Sequence, residues 1–227
     1  FHHAAAFCLH DKGLIRSFLE AGARLDETDT AGKTVLHWAV RGGYEDTLKY
    51  LIAMGADVNA RDSNGEPPLF DAVCLPVPMT IQVLLDAGAD LRARSKSGAT
   101  VLHAAQFHPC GHTPDFLMKL GLDLNAEDSE GLTPLCYALL RDDWDSASLL
   151  IEAGADFADA VKHILAAGVD TTAEDEWGEN QLLKAAVYNN NREAVKSLLG
   201  AGTPSDPRQV QRALDHALWR GSGEVIG

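Results

Sequence analysis

The sequence predicts an all-α fold, a stack of helix-turn-helix units with a finger loop protruding from each. Three observations predict it. Gly22, Gly55, Gly88, Gly121 and Gly154 recur at a constant interval of 33 residues. The positions seven, four and three residues before these glycines are almost all apolar, as in Leu48, Leu51 and Ile52 before Gly55. Short polar turns, DTAG, DSNG, SKSG and DSEG, separate each glycine from the next apolar segment.

Spacing of i, i+3, i+4 places three side chains on one stripe of a helix, so each apolar triplet marks a helix with one buried face. The triplets are Ile15, Phe18 and Leu19; Leu48, Leu51 and Ile52; Ile81, Leu84 and Leu85; Pro114, Leu117 and Met118; and Ala147, Leu150 and Ile151. Glycine ends each of these helices, because the residue after a helix commonly adopts a left-handed backbone that a Cβ resists. The other helix of the unit opens at Thr34, Thr100 and Thr133, whose hydroxyls suit an N-cap. Pro68 and Pro134 stand in the first turn, where no N–H is needed. Two short helices cannot bury an apolar stripe alone, so the stability of each unit comes from its neighbours.

The segments TVLHWA (Thr34 to Ala39), TVLHAA (Thr100 to Ala105) and TPLCYA (Thr133 to Ala138), with the closers GADVNA, GADLRA, GLDLNA and GADF, resemble ankyrin repeats. The resemblance covers essentially the whole chain. It implies an ankyrin-repeat solenoid of L-shaped units, each with a finger, an inner helix and an outer helix, and a concave groove that binds partners.

In order along the chain, the expectation is a single domain over 1–227, with units at about 1–28, 29–61, 62–94, 95–127, 128–158, 159–174, 175–204 and 205–227. The first unit starts at its inner helix, and Gly13 to Glu20 forms its outer helix. Prolines in LPVP (Leu75 to Pro78) and HPCGHTP (His108 to Pro114) delay the following outer helices. Between Gly154 and Gly168 the interval falls to 14 residues, although Val161, Ile164 and Leu165 keep the outer-helix triplet. A layer lacking its inner helix would leave both neighbours bare, so about 19 residues are expected to be missing near Ala158 and Asp159. Units 159–174 and 205–227 are incomplete, and the parent protein is expected to continue beyond both ends.

A net charge of −14 argues against nucleic acid, whose phosphates call for clustered Lys and Arg. Cys8, Cys74, Cys110 and Cys136 form no paired framework in a chain of 227 residues, which fits a reducing compartment. No apolar run is long enough for a membrane span, and no segment reads as a signal. The expectation is a monomer in the cytoplasm or nucleus that binds a protein or peptide and takes neither nucleic acid nor membrane. No phosphate loop, nucleophile elbow or HExxH motif is present, and no catalytic residue, cofactor or metal is assigned.

In the family, the groove is lined by finger tips and by the two positions before the inter-helix corner. Carried over unit by unit, the resemblance assigns partner binding to Arg41, Cys74, Leu75, Phe107, His108, Leu140, Arg141, Val187, Tyr188, Trp219 and Arg220. Trp177 joins them from a finger, since a large aromatic in a turn is seldom there for folding. Other finger tips are Lys33, Asn64, Glu66, Lys96 and Leu132. Apolar, aromatic and Arg-bearing surface is the composition of binding hot spots. The alternative is that some of these side chains fold back and pack.

The resemblance gives His37 and His103 a structural role, bonding the backbone of the adjacent unit. His108, Cys110 and His112, with Cys74, have donor types that hold zinc, but their spacing matches no zinc-finger signature. Asn59 and Asn125 match the position that the family can have hydroxylated, and their ordinary role is to bond the finger turn. The leading expectation is therefore a non-enzymatic recognition scaffold of about seven layers. Two others stand beside it: an atypical enzyme or small-molecule binder around His108, Arg141 and Tyr188, and the repeat portion of a larger multidomain protein.

Overall fold

The computed structural model describes residues 12–75, 78–105, 117, 119–141, 143–168, 171, 180–189, 191–202, 208, 210–212 and 215. Where the sequence reads as one domain, the packing separates two compact units, Phe1–Glu130 and Gly131–Gly227. No helix among the described residues is long and apolar enough to cross a membrane.

In the first unit the period is expressed as two rows of helices. The helices are α1 (Lys12–Glu20), α2 (Val35–Gly42), α3 (Glu45–Ala53), α4 (Pro68–Ala72), α5 (Pro78–Asp86) and α6 (Val101–Ala105). The inner row runs α2, α4, α6 and the outer row includes α3 and α5, with α2 packed on α3 and α4 on α5. The predicted triplet residues Leu48, Leu51, Ile81, Leu84 and Leu117 are completely buried, as are Leu36, Leu69 and Leu102 from the inner row. Burial of a Leu contributes roughly 1.5–3 kcal/mol, and helices that carry these leucines pack on helices of the next layer, α2 on α4, α3 on α5 and α4 on α6, so layers stabilise one another.

Finger loops are joined by hydrogen bonds that repeat with the sequence. Ser63 donates its amide to Ala31 O (2.9 Å), Lys96 to Asn64 O (2.8 Å) and Ser129 to Ser97 O (2.8 Å). Arg61 and Arg94, one period apart, act as matching rungs. Each guanidinium donates to the carbonyl of its own turn (Gly65 at 2.7 Å, Gly98 at 2.9 Å) and to the next finger (Arg94 O at 2.6 Å, Glu127 O at 2.7 Å). Asn59 bonds forward too, its amide donating to Gly88 O at 3.1 Å while its carbonyl accepts from Asp90 N at 2.8 Å.

Close approach explains the finger glycine. Gly32 sits at φ +73, and a Cβ there would lie 2.6 Å from the amide nitrogen of Ser63. No side chain fits between fingers held that tightly.

The second unit contains α7 (Pro134–Leu140), α8 (Trp144–Glu152), α9 (Phe157–Ala166), α10 (Gln181–Tyr188) and α11 (Arg192–Gly200). Short polar residues cap them, and of these Thr133 is the cap that the sequence suggests. Thr133 accepts from Cys136 N (3.4 Å), Asp143 from Ser146 N (3.1 Å), and Asn191 from Ala194 N (3.0 Å). Helix α9 occupies the shortened interval as one uninterrupted helix through Ala158 and Asp159, capped by Asp156, which accepts from Asp159 N at 3.0 Å. It packs on α7 and on α11. Phe157, Ala160, Val161 and Ile164 are buried in those contacts. In this packing α9 itself covers α7.

Candidate functional site

The corner end of α2 in the first unit carries a chain of fixed side chains that starts in a finger. Asp29 Oδ1 accepts from the amides of Ala31 (2.8 Å) and Lys33 (2.9 Å), which holds its carboxylate still. Its other oxygen accepts from Trp38 Nε1 at 2.9 Å, orienting the indole. The guanidinium of Arg41 lies over that ring, 5.4 Å from its centroid. Such a cation–π contact contributes about 0.5–1 kcal/mol at an exposed site.

Beneath Arg41 runs an ion-pair cluster that joins the finger before α2 to the next layer. Lys33 Nζ is 2.8 Å from Asp71 Oδ2 and 3.1 Å from Asp62 Oδ2, and Arg41 is 3.8 Å from Asp71 Oδ1. The side chains of Lys33, Asp62 and Asp71 are 12%, 2% and 15% exposed, so these charges are largely withdrawn from water. Lys33 is therefore no finger tip, because two carboxylates pull its ammonium inward. Burial opposes the charge on Lys33, yet Asp71 and then Asp62 outweigh it, so its pKa is raised. Burial likewise opposes the charge on Asp62, but the Glu66 amide and Lys33 hold its pKa low. Glu66 differs: burial, followed by the negative charge of Asp62, pushes its carboxyl up.

His37 lies directly behind this cluster, fully buried. The Thr34 amide donates to its Nδ1 at 3.1 Å, and Thr34 Oγ1 lies 2.9 Å from the same atom. An accepting Nδ1 leaves the ring proton on Nε2, which donates to Glu66 O of the next layer at 3.1 Å. The expected structural role of His37 is thus present in atomic detail, and burial lowers its pKa. Thr100 and His103 repeat the arrangement at 3.0 and 2.9 Å.

Cys74, at the corner after α4, is half-buried, and its thiol donates to Phe70 O at 3.3 Å. Burial, then the charges of Asp71 and Glu66, push it up to about 11. The charges of Asp71 and Arg41 both act on this thiol, in opposite directions. Leu75, beside Cys74, is half-buried against the core.

In the second unit, Leu140 is 37% exposed at the end of α7 and Arg141 is exposed beside it. Val187 is 5% exposed and belongs to the core with Leu182, Leu183 and Ala186. Buried so, Val187 does not offer the exposed corner position that the resemblance carried over to it. Tyr188 is half-buried in a cleft of about 350 Å³ between α8 and α10, whose walls include Trp144, Ile151, Glu152 and Lys184. Arg141 is not among the walls of this cleft. Phe107, His108, Trp177, Trp219 and Arg220 lie outside the described residues, as do Cys110 and His112.

Sequence reasoning missed Trp38, Asp62 and Asp71. A signal was available: Lys33 and Asp71 are 38 residues apart, one period plus five, which places them on facing parts of adjacent layers.

Paired helices stacked through buried leucines, with fingers tied in register, define a helical-repeat scaffold. A family model described as ankyrin repeats (3 copies) matches residues 1–95 and again 78–160. That is more than half of the chain, which therefore belongs to the ankyrin-repeat family, whose members are generally protein–protein interaction modules. No curated protein matches the chain.

Proposed function

We propose that this chain is a recognition scaffold that holds a segment of a partner protein against its inner-helix ends and fingers, without transforming it. The observation that carries the reading is the fixed series Asp29, Trp38 and Arg41, in which a finger loop orients an aromatic ring and the ring orients an exposed guanidinium. Rigid aromatic and Arg side chains at a surface are the anchors of protein interfaces, because little rotamer freedom remains to be lost on binding. Arg41, Cys74 and Leu75 form the surface proposed in the first unit, and Leu140 and Arg141 the one proposed in the second. Phe107, His108, Trp177, Trp219 and Arg220 stay assigned by resemblance alone.

A second reading, a small ligand in the α8–α10 cleft, draws support from Trp144 and Tyr188 in its walls. Its half-open form favours it less, since small-ligand sites usually bury 70–90% of their ligand. The test is binding of partner peptides to Arg41→Ala and, separately, to Leu140→Ala with Arg141→Ala. Affinity should fall while the circular dichroism spectrum is kept; unchanged affinity in both proteins would remove the assigned surfaces.

A further inference from the structure

We infer that the partner segment brings a carboxylate to Arg41. This rests on the reading of the inner-helix ends as the binding surface and names the chemistry that such a surface selects. The side chain of Arg41 is 53% exposed, and Asp71 Oδ1, its ion-pair partner among the described residues, is 3.8 Å away, beyond hydrogen-bonding distance. Asp71 is committed elsewhere, its other oxygen accepting from Lys33 at 2.8 Å. Among the described residues no acceptor takes a hydrogen bond from the Arg41 guanidinium. It is nevertheless held in place, by the Trp38 ring on one face and by the charge of Asp71 at one edge.

A guanidinium presents five N–H donors in a planar fork, and a planar oxyanion takes two of them at once. A carbonyl or hydroxyl oxygen takes fewer, and an ammonium is repelled. A phosphate dianion would be drawn by Arg41 and repelled by Asp71 each about twice as strongly as a carboxylate. The carboxylate is favoured because an unmodified peptide segment carries that group on Asp, Glu or its C-terminus. The overall charge of −14 does not prevent the contact, because at physiological salt exposed charges beyond about 8 Å are largely screened. A partner carboxylate therefore meets Arg41 at contact distance and little of the distant field.

The test begins with peptides selected from a random library on the intact chain. They are resynthesised with each Glu or Asp changed to Gln or Asn, with a phosphoserine in its place, and with an amidated C-terminus. Each is measured against the native protein, Arg41→Gln, Arg41→Lys and, as a control on an outer helix, Lys49→Gln. The expected result is that Arg41→Gln weakens binding about tenfold or more, Arg41→Lys less, and Lys49→Gln not at all, with the thermal midpoint moved by no more than a few degrees. The loss should vanish when the peptide already carries Gln, or an amidated end if the carboxylate is terminal. Losses that stay additive, or tighter binding of the phosphoserine peptide, would overturn the carboxylate assignment. In those two cases amide shift changes at the ends of α2 and α4 would still uphold the surface. Peptides that shift only α3 and α5 would overturn both.

Discussion

The same loop motif is built differently in the two units. In the first, the finger glycine is pressed against the next finger: a Cβ on Gly32 would meet Ser63 N at 2.6 Å, and on Gly65 or Gly98 it would meet backbone nitrogen at 3.1 Å. In the second, a Cβ on Gly131 would come no nearer than 4.0 Å, to the ring of His163. The inner-helix lock differs as well. His37 bonds Thr34 and reaches Glu66 O, whereas Cys136 receives the Thr133 hydroxyl and donates to Ala160 O at a weak 3.8 Å. Regular period thus gives hydrogen-bonded registration of one finger on the next, and the shortened interval gives helix packing by α9 instead.

The largest expected effect is at the buried cluster of the first unit. Lys33→Ala leaves Asp62 and Asp71 without their shared cation and should cost about 3 kcal/mol, the low end for breaking a buried pair, because Asp62 keeps the Asn64 and Glu66 amides. Chemical denaturation measures it, and the deficit should shrink in acid as Asp62, whose pKa is held low in the folded protein, protonates.

Next comes the glycine pair. Gly32→Ala should cost about 2–3 kcal/mol, a left-handed penalty of roughly 1–2 kcal/mol plus a backbone clash, whereas Gly131→Ala should cost the penalty alone. Equal losses in thermal unfolding would break the comparison.

A smaller effect is its pH dependence. The folded-state pKa of His37 lies below its unfolded value, so its contribution is complete above about 6.5 and is lost as pH falls below that. Cys136, in the equivalent place, has no such loss. Hydrogen exchange around α2 should accelerate as pH falls below that value, after correction for intrinsic rates, while exchange around α7 lacks this component. Glu66 has the opposite sign, since its raised pKa removes stability as pH rises through it. Glu66→Gln should therefore raise the thermal midpoint at pH 7 and have no effect below the ordinary carboxyl range.

The smallest effect is chemical. With its thiol raised from 9.0 to about 11, Cys74 carries about a hundredfold less thiolate than an ordinary cysteine at neutral pH and should alkylate correspondingly slowly.

Much of this fold was legible because helix ends are local. The triplets before Gly55 and Gly88 and the cap at Thr133 depend on residues within one or two turns, and each formed where its spacing placed it. Lys33 was misread as a finger tip because its partners lie a layer away, at Asp62 and Asp71. Val187 was misread because an apolar residue at a helix end can face either the surface or the core, and here it is buried with Leu182, Leu183 and Ala186. Arg41 was legible as a surface residue, but the ring and carboxylate that orient it were not.

The most direct test of the account is amide-resolved NMR of the intact chain with a bound partner peptide. The account predicts that the largest shift changes in the first unit fall on Trp38, Arg41, Cys74 and Leu75, with the Trp38 indole signal among them. Changes confined to the outer helices, Glu45–Ala53 and Pro78–Asp86, would contradict it.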